Sequence, residues 1–267
     1  AAPVFMLNCH CRHCQRATGS AYAAIVVFDK KSLALTGEPK YFSSAGVSGG
    51  TVIGSSARIP DDLAATLASI LGGLHALGPM EELYFLNESI NRKRWSMPLN
   101  EATRSYLEGW MQLFEHTTHM PSPALVGLLG WLLDNLPEVS GEPVLLHGDI
   151  VFHNFLFDNG RLTAVLDWEF AHLGDPAEDL ATVRNSLGAT LDWELFMQAY
   201  RRAGGQDIDL KRVRFFQIWG HVRNALSSCL AAPVFVDGHT DDIKFVLTPH
   251  IYMPHFMRRA QALMEQM

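Results

Sequence analysis

Three side chains in the middle of the chain have the types and spacing that a phosphoryl-transfer centre needs. Asp149 and Asn154 stand five residues apart after the apolar run Val144 to Leu146, and Asp167 follows Asn154 by thirteen positions. Phe155 to Phe157 and Leu162 to Leu166 are apolar runs with aromatic or β-branched members, and Asp158-Asn159-Gly160 between them tolerates the positive φ of a tight turn. The pattern predicts a hairpin. Because antiparallel strands return to where they began, the hairpin sets Asn154 and Asp167 side by side at its open end. Two oxygen-bearing side chains there suit Mg²⁺, which takes carboxylate and carbonyl oxygens and needs only one or two protein ligands beside substrate phosphates. Asp149, upstream on the same loop, is then placed to orient a substrate hydroxyl and receive its proton.

His147-Gly148-Asp149 followed by Asn154 keeps the spacing of the H-R-D-x-x-x-x-N loop of protein kinases, whose Asp accepts the substrate hydroxyl proton. The wider stretch, VLLHGDIVFHNFLFDNGRLTAVLDWEFAHLGDPAEDLA over residues 144–181, resembles the aminoglycoside phosphotransferase and choline-kinase superfamily. There H-G-D-x-x-x-x-N, V-L-D-W-E and G-D-P-x-x-D-L-A form the catalytic core of a kinase-like C-terminal lobe. Gly174-Asp175-Pro176 and Asp179-Leu180-Ala181 supply the third block here. The resemblance implies that Asp149 is the catalytic base, that Asn154 and Asp167 hold magnesium, and that Asp179 braces the catalytic loop from the following helix. It also implies ATP as phosphoryl donor, with no residue of this chain assigned to grip it, and a small hydroxylated molecule as acceptor. Members of the superfamily phosphorylate aminoglycosides, choline, homoserine and hydroxylated acyl thioesters.

Several of these residues also have plainer readings. Asp158 and Asp175 taken singly are turn residues, and Asp179 is an acid in a helix's first turn, where a carboxylate favours the macrodipole. Asp179 and Glu169 stay open between a structural and a functional reading. His147 is expected to pack beneath the loop. His153 and His172 have no partner at metal-ligand spacing and read as loop or surface histidines.

Composition bounds the alternatives. At 267 residues and 48% hydrophobic content the chain can build a substantial core as one large domain or two modest ones. A formal charge of −7 argues against nucleic acid as a main partner, since phosphate binding needs a basic face. The longest apolar run, Ala124 to Leu133, falls short of the roughly 20 residues that span a bilayer, and the N-terminus shows no basic region followed by an apolar one. These features predict a soluble, cytoplasmic protein without a membrane partner; its oligomeric state is not legible.

The first fifty residues carry different chemistry. Cys9, Cys11 and Cys14 bring three thiols within six positions, close enough for one zinc ion, with reduced thiols as the alternative. C-x-C-x-x-C, then R-x-T-G-S-A, a strand at Ala24 to Phe28, and T-G-E-P-K-Y-F resemble the glutathione-dependent formaldehyde-activating family, also seen in centromere protein V. In that family these three cysteines hold the catalytic zinc. The family's earlier C-x-C and later C-x-x-C, which hold a structural zinc, have no counterpart here. A piece of this size without that metal is not expected to fold alone. Gly46 to Ser56 reads as a junction, because its glycines fit neither G-x-G-x-x-G nor a Gly-Lys-Ser/Thr phosphate loop.

From Pro60 the pattern is helical. Leu63, Leu67, Ile70, Leu71, Leu74 and Leu77 mark one helix, Tyr106, Trp110, Leu113 and Phe114 a second, and Leu125 to Leu136 a third that stops at Pro137. The order of these helices resembles the acyl-CoA dehydrogenase-associated branch of the phosphotransferases. After Ala181 helices are expected over Trp193 to Tyr200, over Leu210 to Leu230 with Val213, Phe216, Trp219, Val222 and Leu226 on one face, and over Ile243 to Met267 with interruptions at Pro249 and Pro254. Asp237, Asp241 and Asp242 read as a solvated acidic loop or as part of a substrate pocket.

The resulting expectation is an α+β chain. It has a formaldehyde-activating-enzyme-like fragment over 1–50, a linker over 51–59, and over 60–267 a mostly helical kinase-like C-terminal lobe with a catalytic β-hairpin. No strand-rich nucleotide-gripping lobe is visible before Pro60, so the chain reads as a C-terminal lobe joined to a piece of another family, as fusion, truncation or misassembly would produce. Three functions compete: a Mg- and ATP-dependent phosphotransferase, limited here by the missing lobe; a zinc-thiol carbon-sulfur lyase of the formaldehyde-activating type; and a non-catalytic kinase-like scaffold.

Overall fold

The computed structural model describes residues 5–9, 23–27, 61–77, 96–151, 154–158, 161–188 and 190–267. The chain divides into two compact units, Ala1–Ser43 and Ser44–Met267. In the first, strands β1 (Phe5–Cys9) and β2 (Ala23–Val27) pair antiparallel, with Cys9 opposite Ala23. Cys11 and Cys14 lie outside the described residues, as do the side chain of Cys9 and the junction at 46–56, so the zinc reading rests on the sequence.

The second unit is mostly helical. Helices α1 (Asp61–His75), α2 (Leu99–Thr117) and α3 (Pro123–Asp134) precede strand β3 (Val144–Leu146). The hairpin β4 (Phe155–Asp158) and β5 (Arg161–Val165), a 3₁₀ turn (Trp168–Phe170) and strand β6 (His172–Gly174) follow. Helices α4 (Ala177–Leu187), α5 (Trp193–Arg202), α6 (Leu210–Cys229), α7 (Ala231–Val236) and α8 (Lys244–Met264) complete the unit. No helix among the described residues is long and apolar enough to cross a membrane.

Local chemistry sets the helix starts. Ser122, Asp192 and Asp209 each accept a backbone N–H three residues on, at Leu125, Leu195 and Arg212, and Pro123 opens α3 where its missing N–H costs nothing. The core forms around α6, which packs against α2, α3, α4, α7 and α8. The stripe at Val213, Phe216, Trp219, Val222 and Leu226 is buried as its periodicity requires, but Phe215, Ile218 and Ala225 on other faces are buried too. Such all-round burial marks a central helix rather than an amphipathic surface one. Helix α1 lies against α5 at Gly72, where a Cβ would collide with the Tyr200 carbonyl and Ala203.

Three local expectations change. Helix α8 runs through Pro249 and Pro254 without a break. Each internal proline forfeits a hydrogen bond at a cost of roughly 3 kcal/mol. Against that, Pro249 and Ala260 are buried and Met253, Phe256, Met257, Leu263 and Met264 pack on the core, and each buried apolar side chain contributes about 1.5–3 kcal/mol. Packing wins. Asp158 belongs to the β4–β5 ladder, paired with Arg161, rather than to the turn alone. His172 is neither a loop nor a surface residue: it sits buried in β6, its ring stacked on Tyr106 with centroids 3.8 Å apart.

Candidate active site

The site grows from the end of β3. This strand pairs antiparallel with β6, Leu146 opposite His172 and Val144 opposite Gly174, so the chain leaving β3 enters the His147-Gly148-Asp149 loop directly beside the start of α4. Gly148 takes φ 79°, and a Cβ there would collide with the Phe170 carbonyl. Only glycine meets both conditions without strain.

Asp179, 0% exposed in the first turn of α4, holds that loop by its backbone. Its Oδ2 accepts from His147 N at 2.8 Å and its Oδ1 from Gly148 N at 2.9 Å. His75, on α1, reaches the same carboxylate with Nε2 at 3.2 Å, and its Nδ1 lies 2.8 Å from the Tyr200 hydroxyl. Burial pushes the Tyr200 phenol well above its ordinary range, aided by the charges of Asp179 and Asp175, so Tyr200 keeps its proton. Burial alone would raise the Asp179 carboxyl, but the hydrogen bond and charge of His75, then His147 and its N–H, outweigh burial and hold it below its ordinary value.

His147 packs beneath the loop, buried, with both ring nitrogens used: Nδ1 accepts from Asp149 N at 3.2 Å and Nε2 donates to the Leu166 carbonyl at 2.9 Å. That ring ties the loop to the far end of the hairpin. Asn154, 3% exposed, donates its Nδ2 to the Asp149 carbonyl at 2.8 Å and to Asp149 Oδ2 at 3.1 Å. The amide nitrogen is thereby committed to Asp149, and Oδ1 is the donor atom Asn154 offers elsewhere. The β4–β5 register sets Phe155 opposite Val165, and Leu166 N donates to the Asn154 carbonyl at 2.7 Å, one residue before Asp167. Asp167 itself is exposed, in the left-handed region at φ 66° and ψ 61°, at the start of the 3₁₀ turn. A hairpin end bearing an amide oxygen and an open carboxylate is a hard-oxygen donor pair, which fits magnesium.

A second layer lies behind Asp149. Arg223 of α6, 5% exposed, donates to the Gly148 carbonyl at 2.5 Å and sets its other terminal nitrogen 3.8 Å from Asp149 Oδ1. Glu178 receives Arg223 at 3.4 Å and Trp219 Nε1 at 3.1 Å. His172 Nε2 lies 3.4 Å from the other Glu178 oxygen, without a hydrogen bond among the described residues. Burial and the Glu178 charge push the Tyr106 phenol up to about 12, and Arg223 donates to it as well.

Asp175, read from sequence as a turn residue, does accept from Ala177 N at 2.9 Å, but it is also buried against Arg212, whose Nε and terminal nitrogen reach it at 2.8 and 2.6 Å. Asp237 is half exposed and 3.2 Å from His119; Asp242 pairs with Lys244 at 3.6 Å; Asp241 is exposed. His153 and the side chain of Glu169 lie outside the described residues.

Arg223 and Glu178 were not singled out from the sequence, although one signal was present. Arg223 falls four residues after Trp219 and three before Leu226, inside the apolar stripe of α6. A cation in a buried stripe requires a partner.

Comparison with known proteins decides the family. A model described as the phosphotransferase enzyme family matches residues 36–216. The chain belongs to the phosphotransferase family. A second model, the glutathione-dependent formaldehyde-activating enzyme, matches residues 1–55. Human acyl-CoA dehydrogenase family member 11 is 39% identical over 74 residues, 27% of this chain and 10% of that protein. Viomycin phosphotransferase of Streptomyces vinaceus is 27% identical over 163 residues, 58% of this chain and 53% of that one. The matches thus span about a tenth of the acyl-CoA dehydrogenase relative and about half of the viomycin enzyme.

Among solved structures, a candidate aminoglycoside phosphotransferase of Ralstonia eutropha aligns with a TM-score of 0.58 at 17% identity, covering 97% of this chain and 77% of that one. The macrolide 2′-phosphotransferase of Brachybacterium faecium aligns with a TM-score of 0.51 at 23% identity, covering 72% and 60%. These likenesses establish the fold: the mostly helical unit is a kinase-like C-terminal lobe with its β-hairpin.

Proposed function

We propose that this phosphotransferase-family chain transfers a phosphoryl group from ATP to a hydroxyl of a small molecule. The observation that carries the reading is the loop geometry. Asp149 is tied to Asn154 through two contacts, on a backbone that Asp179 grips from below, with Asp167 at the facing end of the hairpin. In this reading Asp149 orients the acceptor hydroxyl and takes its proton as the oxygen attacks the γ-phosphorus of ATP and the bond from that phosphorus to the β,γ-bridging oxygen breaks, releasing ADP. Asn154 Oδ1 and the Asp167 carboxylate would hold magnesium, which would supply charge neutralisation at the phosphates. His147 and Asp179 are supports that keep the Asp149 backbone fixed, so the carboxylate loses little freedom when substrate arrives. Viomycin phosphotransferase, the relative matched over the longest stretch named above, favours a small-molecule acceptor.

The test is ATP turnover by the full chain, with Asp149→Asn and Asp167→Ala as controls. The expected result is a loss of about 100-fold or more in each variant. Turnover unaffected by both changes sinks the assignment.

A second reading applies to residues 1–55, where a different family model matches. Cys9, Cys11 and Cys14 would share one zinc ion, with the lyase chemistry of that family as the corresponding activity. Metal analysis of the purified chain checks this: zinc is expected at one per chain and lost in Cys11→Ser, and zinc retained in that variant removes the reading.

A further inference from the structure

We infer that Arg223 is a positioning residue of the phosphotransferase site, the counterpart of Asp179 on the opposite side of the Gly148 peptide. The inference rests on the reading of Asp149 as the group that meets the acceptor hydroxyl. Asp179 takes the loop by its N–H groups, at His147 and Gly148. Arg223 takes it by the next carbonyl, that of Gly148, and carries its remaining terminal nitrogen to within 3.8 Å of Asp149 Oδ1. Asn154 engages the other carboxylate oxygen, Oδ2. Each oxygen of Asp149 therefore faces a different nitrogen donor, one charged and one neutral, and the rotation of the carboxylate is set from two sides.

The rest of the cluster explains how a buried cation can stand there. Arg223 is 5% exposed, and a lone guanidinium at that depth would be costly. Glu178 pairs with it at 3.4 Å, and Trp219 Nε1 holds Glu178 in turn. Tyr106 takes a further Arg223 N–H, and the guanidinium lies 5.3 Å from the Phe170 ring centroid, on the residue whose carbonyl crowds Gly148. Glu178, not Asp149, is the permanent counter-ion. Lysine cannot make these contacts together, because its single nitrogen is a point charge and lacks the planar fork.

Two measurements on the full chain test this. The first follows hydrogen–deuterium exchange at residues 147–151 in the wild type, in Arg223→Lys, and in the double variant Glu178→Gln/Arg223→Met, which removes the carboxylate that a single change would strand. Exchange is expected to quicken at the loop more than along α4 and α6. A loop no more exposed than those helices, or unchanged, overturns the inference. The second is steady-state turnover of MgATP. Arg223→Met is expected to lower kcat about 100-fold with KM changed by less than about twofold, and Arg223→Lys to recover about tenfold of that loss. A change confined to KM, or a full recovery by lysine, overturns the inference. If turnover survives Asp149→Asn and Asp167→Ala, the proposed function itself fails, and Arg223 is then judged by loop exchange alone.

Discussion

Two buried aspartates stand four residues apart at the head of α4, and they do opposite things with their charge. Asp175 faces a permanent cation, Arg212, in a two-nitrogen grip that ties α4 to α6 away from the His147-Gly148-Asp149 loop. Asp179 faces a histidine, His75, and two consecutive peptide N–H groups of that loop. The first is an exchangeable clip: a buried ion pair can give way to apolar side chains with little loss, provided both partners go together. The second is not exchangeable. One side chain must present two acceptor oxygens to adjacent N–H groups, and only a carboxylate does so. An acid that clips two helices together and an acid that braces a loop are thus told apart by what they hold, since both are buried.

The largest expected effect breaks the second clip. Asp179→Ala leaves the His147 and Gly148 N–H groups and His75 without their acceptor, in a place water does not reach, and is expected to cost about 4 kcal/mol in urea unfolding. Asp179→Asn combined with His75→Leu is expected to recover little of that, because an amide offers one oxygen for two N–H groups. Recovery to wild-type stability would show that the loop N–H groups do not depend on this carboxylate.

The first clip gives the contrasting result. Arg212→Met alone strands the Asp175 carboxylate and is expected to cost about 3 kcal/mol. Adding Asp175→Asn keeps the acceptor for Ala177 N while removing the charge, and should return the protein to within about 1 kcal/mol of wild type. A double variant as damaged as Arg212→Met would erase the distinction between the two clips.

A third difference lies in pH. His221 of α6 is buried with Nδ1 unpartnered among the described residues, and burial, then Arg259 and His255, depress it from 6.5 to about 4. The unfolded chain therefore binds this proton at a pH where the folded chain refuses it. The corresponding stability is fully present above pH 6.5, falls as pH drops from there to about 4, and is gone below; the span is worth at most roughly 3 kcal/mol. His221→Asn is expected to flatten urea midpoints across that window. Asp179 works lower: its carboxyl is held below 3.8, so its contribution is whole above that pH and is lost as pH falls through the depressed value. A His221→Asn protein with an unchanged slope between pH 6.5 and 4 would remove the first of these two windows.

These contrasts also show why some of the molecule is legible in its sequence and some is not. The hairpin follows from Phe155, Val165 and the Asn-Gly between them, because strand period and turn chemistry are local. Helices α1, α2, α3, α5 and α6 follow from apolar spacing for the same reason. Strand β6 is only three residues long, and its partner β3 lies a hairpin away in sequence, so His172 carried no local sign of burial. The continuity of α8 through two prolines is decided by its packing on α6, which no proline rule contains. At the candidate site the spacing of Asp149, Asn154 and Asp167 is sequence information. The grip of His75, Glu178 and Arg223 on the loop is tertiary, made by residues about 70 or more positions from Asp149 for two of them. Arg212 and Asp175 are 37 positions apart, which is why an acid that reads as a turn residue is also half of an ion pair.

The smallest expected effect on stability comes from the residue on which the proposed chemistry depends most openly. Asp167 is exposed, makes no capping hydrogen bond, and occupies the left-handed region that aspartate tolerates better than most side chains. Asp167→Ala should change the urea midpoint by no more than about 0.5 kcal/mol equivalent, because a surface site away from caps and core contributes little. Asp167→Gly should be neutral or slightly stabilising at φ 66°, where glycine pays no steric cost. Asn154, on the other arm of the hairpin and buried, should lose about 1–2 kcal/mol as Asn154→Ala, since the Asp149 carbonyl keeps only Val151 N–H and Asp149 Oδ2 loses the amide donor. The open end of the hairpin thus has one arm, at Asn154, built into the protein and one arm, at Asp167, that is exposed. Equal losses on the two arms would mean that Asp167 is a structural residue, and the case for a shared cation would go with it.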